Sequence, residues 1–246
     1  MRYLLALLLS FALFGCNNKQ NKKVDAHEII KKSIEVSGGK RIGASIIEFN
    51  FRDIHYKAVR NKGIFLLSRV IPKDGDSIID VLGNDGFKRF INDSLVSIPD
   101  SMAVNYTASV NSVHYFAVLP YGLDGKAVNK TYMDKVDLKG DSYHKIKITF
   151  NEEGGGEDFE DVFIYWVNTK SNKVDYLAYS YNEDDGKGLR FREAYNERYI
   201  EGIRFVDYNN YKPIDVKAKP EDLDKLYIDN KLELVSKIEL KNVTVN

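Results

Sequence analysis

The chain has 246 residues, with 36 lysines and arginines matched by 36 aspartates and glutamates, one cysteine and an aromatic content of 12%. A net charge of zero gives no electrostatic footprint for nucleic acid, and a lone cysteine excludes an internal disulfide framework. A chain of this length can hold itself together through the apolar core of a single domain.

It opens on Arg2 and an apolar run from Leu4 to Phe14 that is too short to span a bilayer as a helix and gives way abruptly to polar residues at Asn17. This is the pattern of a secretory signal peptide over residues 1–15. Leu13, Phe14, Gly15 and Cys16 resemble the lipobox of bacterial lipoproteins, in which the cysteine is acylated through its sulfur and becomes the first residue of the mature chain. An ordinary signal peptide, or a buried N-terminal strand, with an incidental cysteine is the alternative. The resemblance implies that Cys16 is lipidated, that residues 16–24 form an acylated tether, and that the protein meets the membrane through lipid alone. Several acyl chains, each buried methylene contributing about 0.8 kcal/mol, anchor a protein permanently where one chain anchors it marginally. Asn17 follows the cysteine with no acidic cluster behind it. Compared with known sorting signals, this points to the outer membrane with the domain facing the periplasm, a surface-exposed orientation being the other possibility.

After the tether, Asp25 is placed to cap a helix running to about Ser37, with Ile30 and Ile34 on one face and Gly38-Gly39 as its stop. Tyr106, Val110, Val113 and Ala117 recur on one helical face, and Pro120 ends that pattern after Leu119. From Lys145 to Phe150 apolar and polar residues alternate, as in a half-buried strand. Asp161 to Asn168 is apolar on both strand faces and so needs cover on both. A third helix is predicted from Pro220, with Leu223, Leu226 and Tyr227 inward, and Leu232, Leu234, Ile238 and Leu240 keep one parity in a long final strand. Turn signals between these runs recur about every ten residues, from Lys73–Asp76 to Glu201-Gly202. About ten strands and two or three helices make an α+β chain: a large curved antiparallel sheet with helices over its concave face, in a single domain over residues 25–246.

The succession Asn111-Ser112-Val113-His114-Tyr115-Phe116, Leu119-Pro120-Tyr121-Gly122-Leu123, Gly154-Gly155-Gly156, Tyr165-Trp166-Val167-Asn168, Tyr176-Leu177-Ala178-Tyr179, Arg190-Phe191-Arg192 and Gly202-Ile203-Arg204-Phe205 resembles an uncharacterised family of bacterial envelope lipoproteins. That family is similar in shape to the lipoprotein carriers LolA and LolB, which implies an unclosed β-barrel with a helical lid over an apolar cavity. It supplies no catalytic residues, and one fold hosts unrelated functions.

Motifs for chemistry are sparse. There is no Gly-x-Ser-x-Gly elbow, no phosphate loop, and no second histidine four residues after His27. His55, His114 and His144 are far apart, and of these His114 sits on the predicted inner helix where it could orient a ligand. The acidic turns around Glu152–Asp161 and Glu183–Asp185 lack the ligand spacing of a calcium loop and read as solvated hairpin tips, so no metal or cofactor is expected. Arg190, Arg192, Arg198 and Arg204 share a strand parity. They are either an acid-paired outer face or a guanidinium cluster at a cavity mouth holding an anionic head group. The sequence therefore points to a non-enzymatic envelope lipoprotein that binds an apolar or amphipathic ligand through Tyr106, Val110, Val113, His114, Ala117, Trp166, Arg190 and Arg192. A hydrolase or lyase using His114 or another polar cluster, and a scaffold whose concave face holds only its own helix, are the competing readings.

Overall fold

A computed structural model describes residues 24–155, 159–183 and 186–246. Cys16, its signal peptide and the tether up to residue 23 lie outside the described residues, as do residues 156–158, 184 and 185.

Helix α1 (Ala26–Val36) begins where the Asp25 carboxylate accepts a 2.8 Å hydrogen bond from the His27 amide. Gly38 takes a left-handed φ of 86°, and a Cβ there would lie 2.4 Å from the Gly202 carbonyl oxygen. The Gly38-Gly39 pair thus stops α1, as expected, at a tight corner, and a further short helical turn, α2 (Gly39–Ile42), follows it.

Two antiparallel meanders follow. The first contains β1 (Ala44–Phe51), β2 (Ile54–Asn61), β3 (Ile64–Lys73), β4 (Asp76–Gly83), β5 (Gly86–Ile91) and β6 (Ser94–Val96). Helix α3 (Asp100–Ala117) then leads into β7 (Val128–Leu138), β8 (Asp141–Phe150), β9 (Phe163–Asn168), β10 (Val174–Glu183), β11 (Gly186–Ile200) and β12 (Ile203–Pro213). A 3-10 turn (Pro220–Asp222) and α4 (Leu223–Ile228) precede β13 (Leu232–Ile238) and β14 (Lys241–Val245). The sheets are ordered β14-β1-β2-β3-β4-β5-β6 and β13-β12-β11-β10-β9-β8-β7. The chain is therefore α+β with two large, unclosed antiparallel sheets, and its fourteen described strands exceed the ten expected. The difference lies partly in hairpins turning at Arg52-Asp53 and Lys62-Gly63, where Arg52 and Lys62 adopt positive φ without being typical turn residues.

The final segment departs from expectation. Leu232 to Leu240 is not one continuous strand: β13 is an edge of the second sheet, while β14 pairs with β1 in the first, placing Val245 opposite Ile47. Between them the chain crosses from sheet to sheet at Leu240. There the backbone amide donates to the buried Asp207 carboxylate at 3.0 Å and the carbonyl accepts from Arg198 at 2.7 Å.

Helix α3 lies between the sheets. Val110 packs with Ala58 and Leu67 of the first sheet, and Phe116 packs with Phe163 and Tyr179 of the second. Every residue of β9 is buried, as its two-sided apolar pattern requires. Phe163, Tyr165 and Val167 share a core with α1 on one face. Ile164 and Trp166 share another with Leu223 of α4 on the opposite face. That second cover also buries Lys145, whose ammonium sits 2.9 Å from the Asp224 carboxylate. The alternation from Lys145 to Phe150 thus belongs to a strand covered on both faces near Lys145, because the lysine has a buried acid to meet.

Candidate functional site

Between α3 and the second sheet lies a cavity of about 610 Å³, within the range typical of small-molecule sites. Phe116, Phe163, Tyr179, Val206 and Tyr208 supply much of its apolar wall. Helix α3 contributes Ala108, Ser112 and Phe116, four residues apart along one stripe. That stripe is not the one the helical periodicity singles out. Val113 and Ala117 do line the cavity, but Val110 is fully buried against the first sheet, and Tyr106 stacks under the Arg89 guanidinium at 3.6 Å. The cavity-facing stripe is small and polar in its first turns, so in sequence it looks like a solvent face.

His114 also turns away from the cavity. It is 1% exposed, sits edge-on to Phe49 and Tyr56, and donates from Nε2 to the Ser68 carbonyl at 3.0 Å. Burial lowers its pKa from 6.5 to about 4, against the opposing effect of the Ser68 hydrogen bond. A neutral, enclosed imidazole with its donor committed to a backbone carbonyl serves packing, so the sequence-level role for His114 in ligand orientation or catalysis is not supported by its position.

Trp166 is likewise on the far face, where its indole N–H donates to Asp224 at 3.2 Å. The strand around it does help wall the cavity, but through Phe163 of the other parity.

The four arginines do not form a patch. One extra residue between Tyr195 and Arg198 makes a β-bulge against β12, with Asn196 at φ 51°, and inverts the alternation beyond it. Arg198 consequently faces away from Arg192 and pairs with Asp207, while Arg204 is held by Glu197 at 2.6 Å and Asp175 at 3.3 Å. Arg190 bonds the Leu189 carbonyl and lies 5.0 Å over the Tyr181 ring, outside the cavity lining. Arg192 alone of the four reaches the cavity.

There it is 7% exposed, with its guanidinium 3.8 Å over the Phe116 ring and 5.1 Å over that of Tyr179. Nη2 donates to the Tyr179 hydroxyl at 2.7 Å, while Nε and Nη1 are buried with no hydrogen-bond partner. Among the described residues no carboxylate is paired with it. Directly across β12 and β13, Asn210 and Ser236 complete a row with Arg192, and both line the cavity. Asn210 donates to Ser236 at 3.2 Å, and its Oδ1 is buried without a partner. Sequence reasoning marked Arg192 but not Asn210 or Ser236, since only strand register brings these together. Among the described residues, no group of three or more histidine, cysteine, aspartate or glutamate side chains could hold a metal ion.

The chain belongs to a family of unknown function, DUF6503, whose model matches residues 2–240. Solved structures similar to it include a LolA superfamily protein from Nitrosomonas europaea, with 11% identity, 90% of this chain and 93% of that chain covered and a TM-score of 0.48. Another is a DUF1329 family protein from Desulfovibrio piger, with 9% identity, coverages of 89% and 91% and a TM-score of 0.45. No curated protein matches.

Proposed function

We propose that this protein is an envelope lipoprotein, anchored in the outer membrane through acylated Cys16 and facing the periplasm, whose cavity holds an apolar or amphipathic ligand without covalent chemistry. The observation that carries the reading is the aromatic-walled cavity between α3 and the second sheet. An internal helix packed only for support would fill that space with side chains at interior density. Apolar burial contributes about 25 cal/mol per Å², so an acyl chain enclosed by Phe116, Phe163 and Tyr208 has a sufficient driving force for binding. The anchor rests on the Leu13–Cys16 sequence and the polar residues behind it.

Native mass spectrometry of protein taken from its own envelope tests the ligand. Retained lipid supports the reading, and a protein that carries none and takes up no acyl ligand returns it to a scaffold. Labelled fatty acid tests the anchor: a Cys16→Ser variant that still took up the label and still sedimented with membranes would refute it.

A further inference from the structure

Resting on that reading of the cavity, we propose that its ligand is a monoanionic amphipath whose carboxylate is received by Arg192. An arginine brings a charge and five N–H donors, and aromatic faces stabilise the charge without using the donors. Here Phe116 and Tyr179 cover the guanidinium, yet Nε and Nη1 have no partner and the group is more than nine-tenths buried. Burying a cation that way is costly unless something pairs with it.

The surroundings narrow the pairing group. Asn210, next in the row, keeps its bond to Ser236 if its amide turns over, the Ser236 hydroxyl then donating to Oδ1, and this frees its NH2 for an anion beside the guanidinium. A planar carboxylate matches a guanidinium and an amide presented side by side. Among the described residues, the other charged side chains lining the cavity are Arg52, which is exposed, and Asp161, which has an interaction partner of its own. One buried positive charge, with an acid on the same wall, suits a single negative charge better than a dianionic phosphate monoester.

The full chain should be titrated with hexadecanoic acid, hexadecanol, methyl hexadecanoate and hexadecyl phosphate at a pH where the acid is ionised. The acid should bind about tenfold or more tighter than the alcohol and the ester. Arg192→Met should remove that preference by weakening the acid alone, and the ligand-free variant should melt no lower than the wild type, since an unpaired buried cation has been replaced by an apolar side chain of similar length. If acid, alcohol and ester bind equally in the wild type, or Arg192→Met weakens all three equally, the cavity reading stands and the carboxylate assignment falls. Tighter binding of hexadecyl phosphate than of the acid also overturns it. If none of the four binds saturably, both readings fall together. Should Arg192→Met not fold, the four-ligand comparison in the wild type decides the matter.

Discussion

His114 illustrates how a titratable residue can be legible as a position and misleading as a role. Its place on α3 follows from the helical period, but whether it meets ligand or core depends on which sheet each helix face touches, and no local pattern records that. The structure gives it an acid-labile role instead. The folded pKa of about 4 lies below the unfolded value near 6.5, so between those values the unfolded chain binds the proton and the native state does not. The stability His114 contributes is full above pH 6.5 and lost as pH falls toward 4, a difference of about 3 kcal/mol at most. His114→Gln can still donate to the Ser68 carbonyl and cannot protonate. Denaturant titrations should therefore show the gap between variant and wild type shifting in favour of the variant across pH 6.5 to 4, and a constant gap would show that the imidazole titrates normally. Arg192 is a different case: strand parity left open whether its row was an acid-paired outer face or a cavity rim, and the bulge after Tyr195, one residue invisible to an alternation count, separates it from Arg198.

At the scale of elements, the helices and the two-sided strand β9 were readable because capping and periodicity are local. The break between β13 and β14 was not, since Leu240 keeps the parity of its neighbours while the backbone leaves one sheet for the other. Helix α3 also reads as a simple amphipathic lid, yet it is fixed to the first sheet by polar as well as apolar contacts. Asp80, fully buried, accepts from Arg69 at 2.8 Å and from Arg89 at 2.6 and 2.9 Å. Arg69 in turn donates to Ser109 of α3 at 2.6 Å, and Arg89 lies over the ring of Tyr106. Removing the shared carboxylate leaves two guanidinium groups facing each other without compensation. Asp80→Asn should therefore lose about 3–5 kcal/mol in chemical denaturation. A loss below about 1 kcal/mol would mean that α3 is held by its apolar face alone.

For the whole molecule, the arrangement of two meanders joined at one corner with a helix between them explains why a cavity exists at all. One stripe of α3 is used up by the first sheet, through Val110 and His114. The second sheet faces the other stripe, which is small at Ala108 and Ser112, and the space between them is the cavity. A ligand that occupies it binds the native state only, so at about 100 times its Kd it should add about 2.7 kcal/mol of stability and raise the melting temperature by several degrees, increasing with ligand concentration. Filling the space from within should abolish this response. Ala108 lines the cavity from a half-buried helix position, so Ala108→Trp can insert its ring with little disturbance to α3. We expect the variant to fold with a melting temperature near that of the ligand-free wild type and to show no shift with hexadecanoic acid. A full wild-type shift in Ala108→Trp would place the binding site elsewhere and leave the space beneath α3 as a packing defect between two sheets.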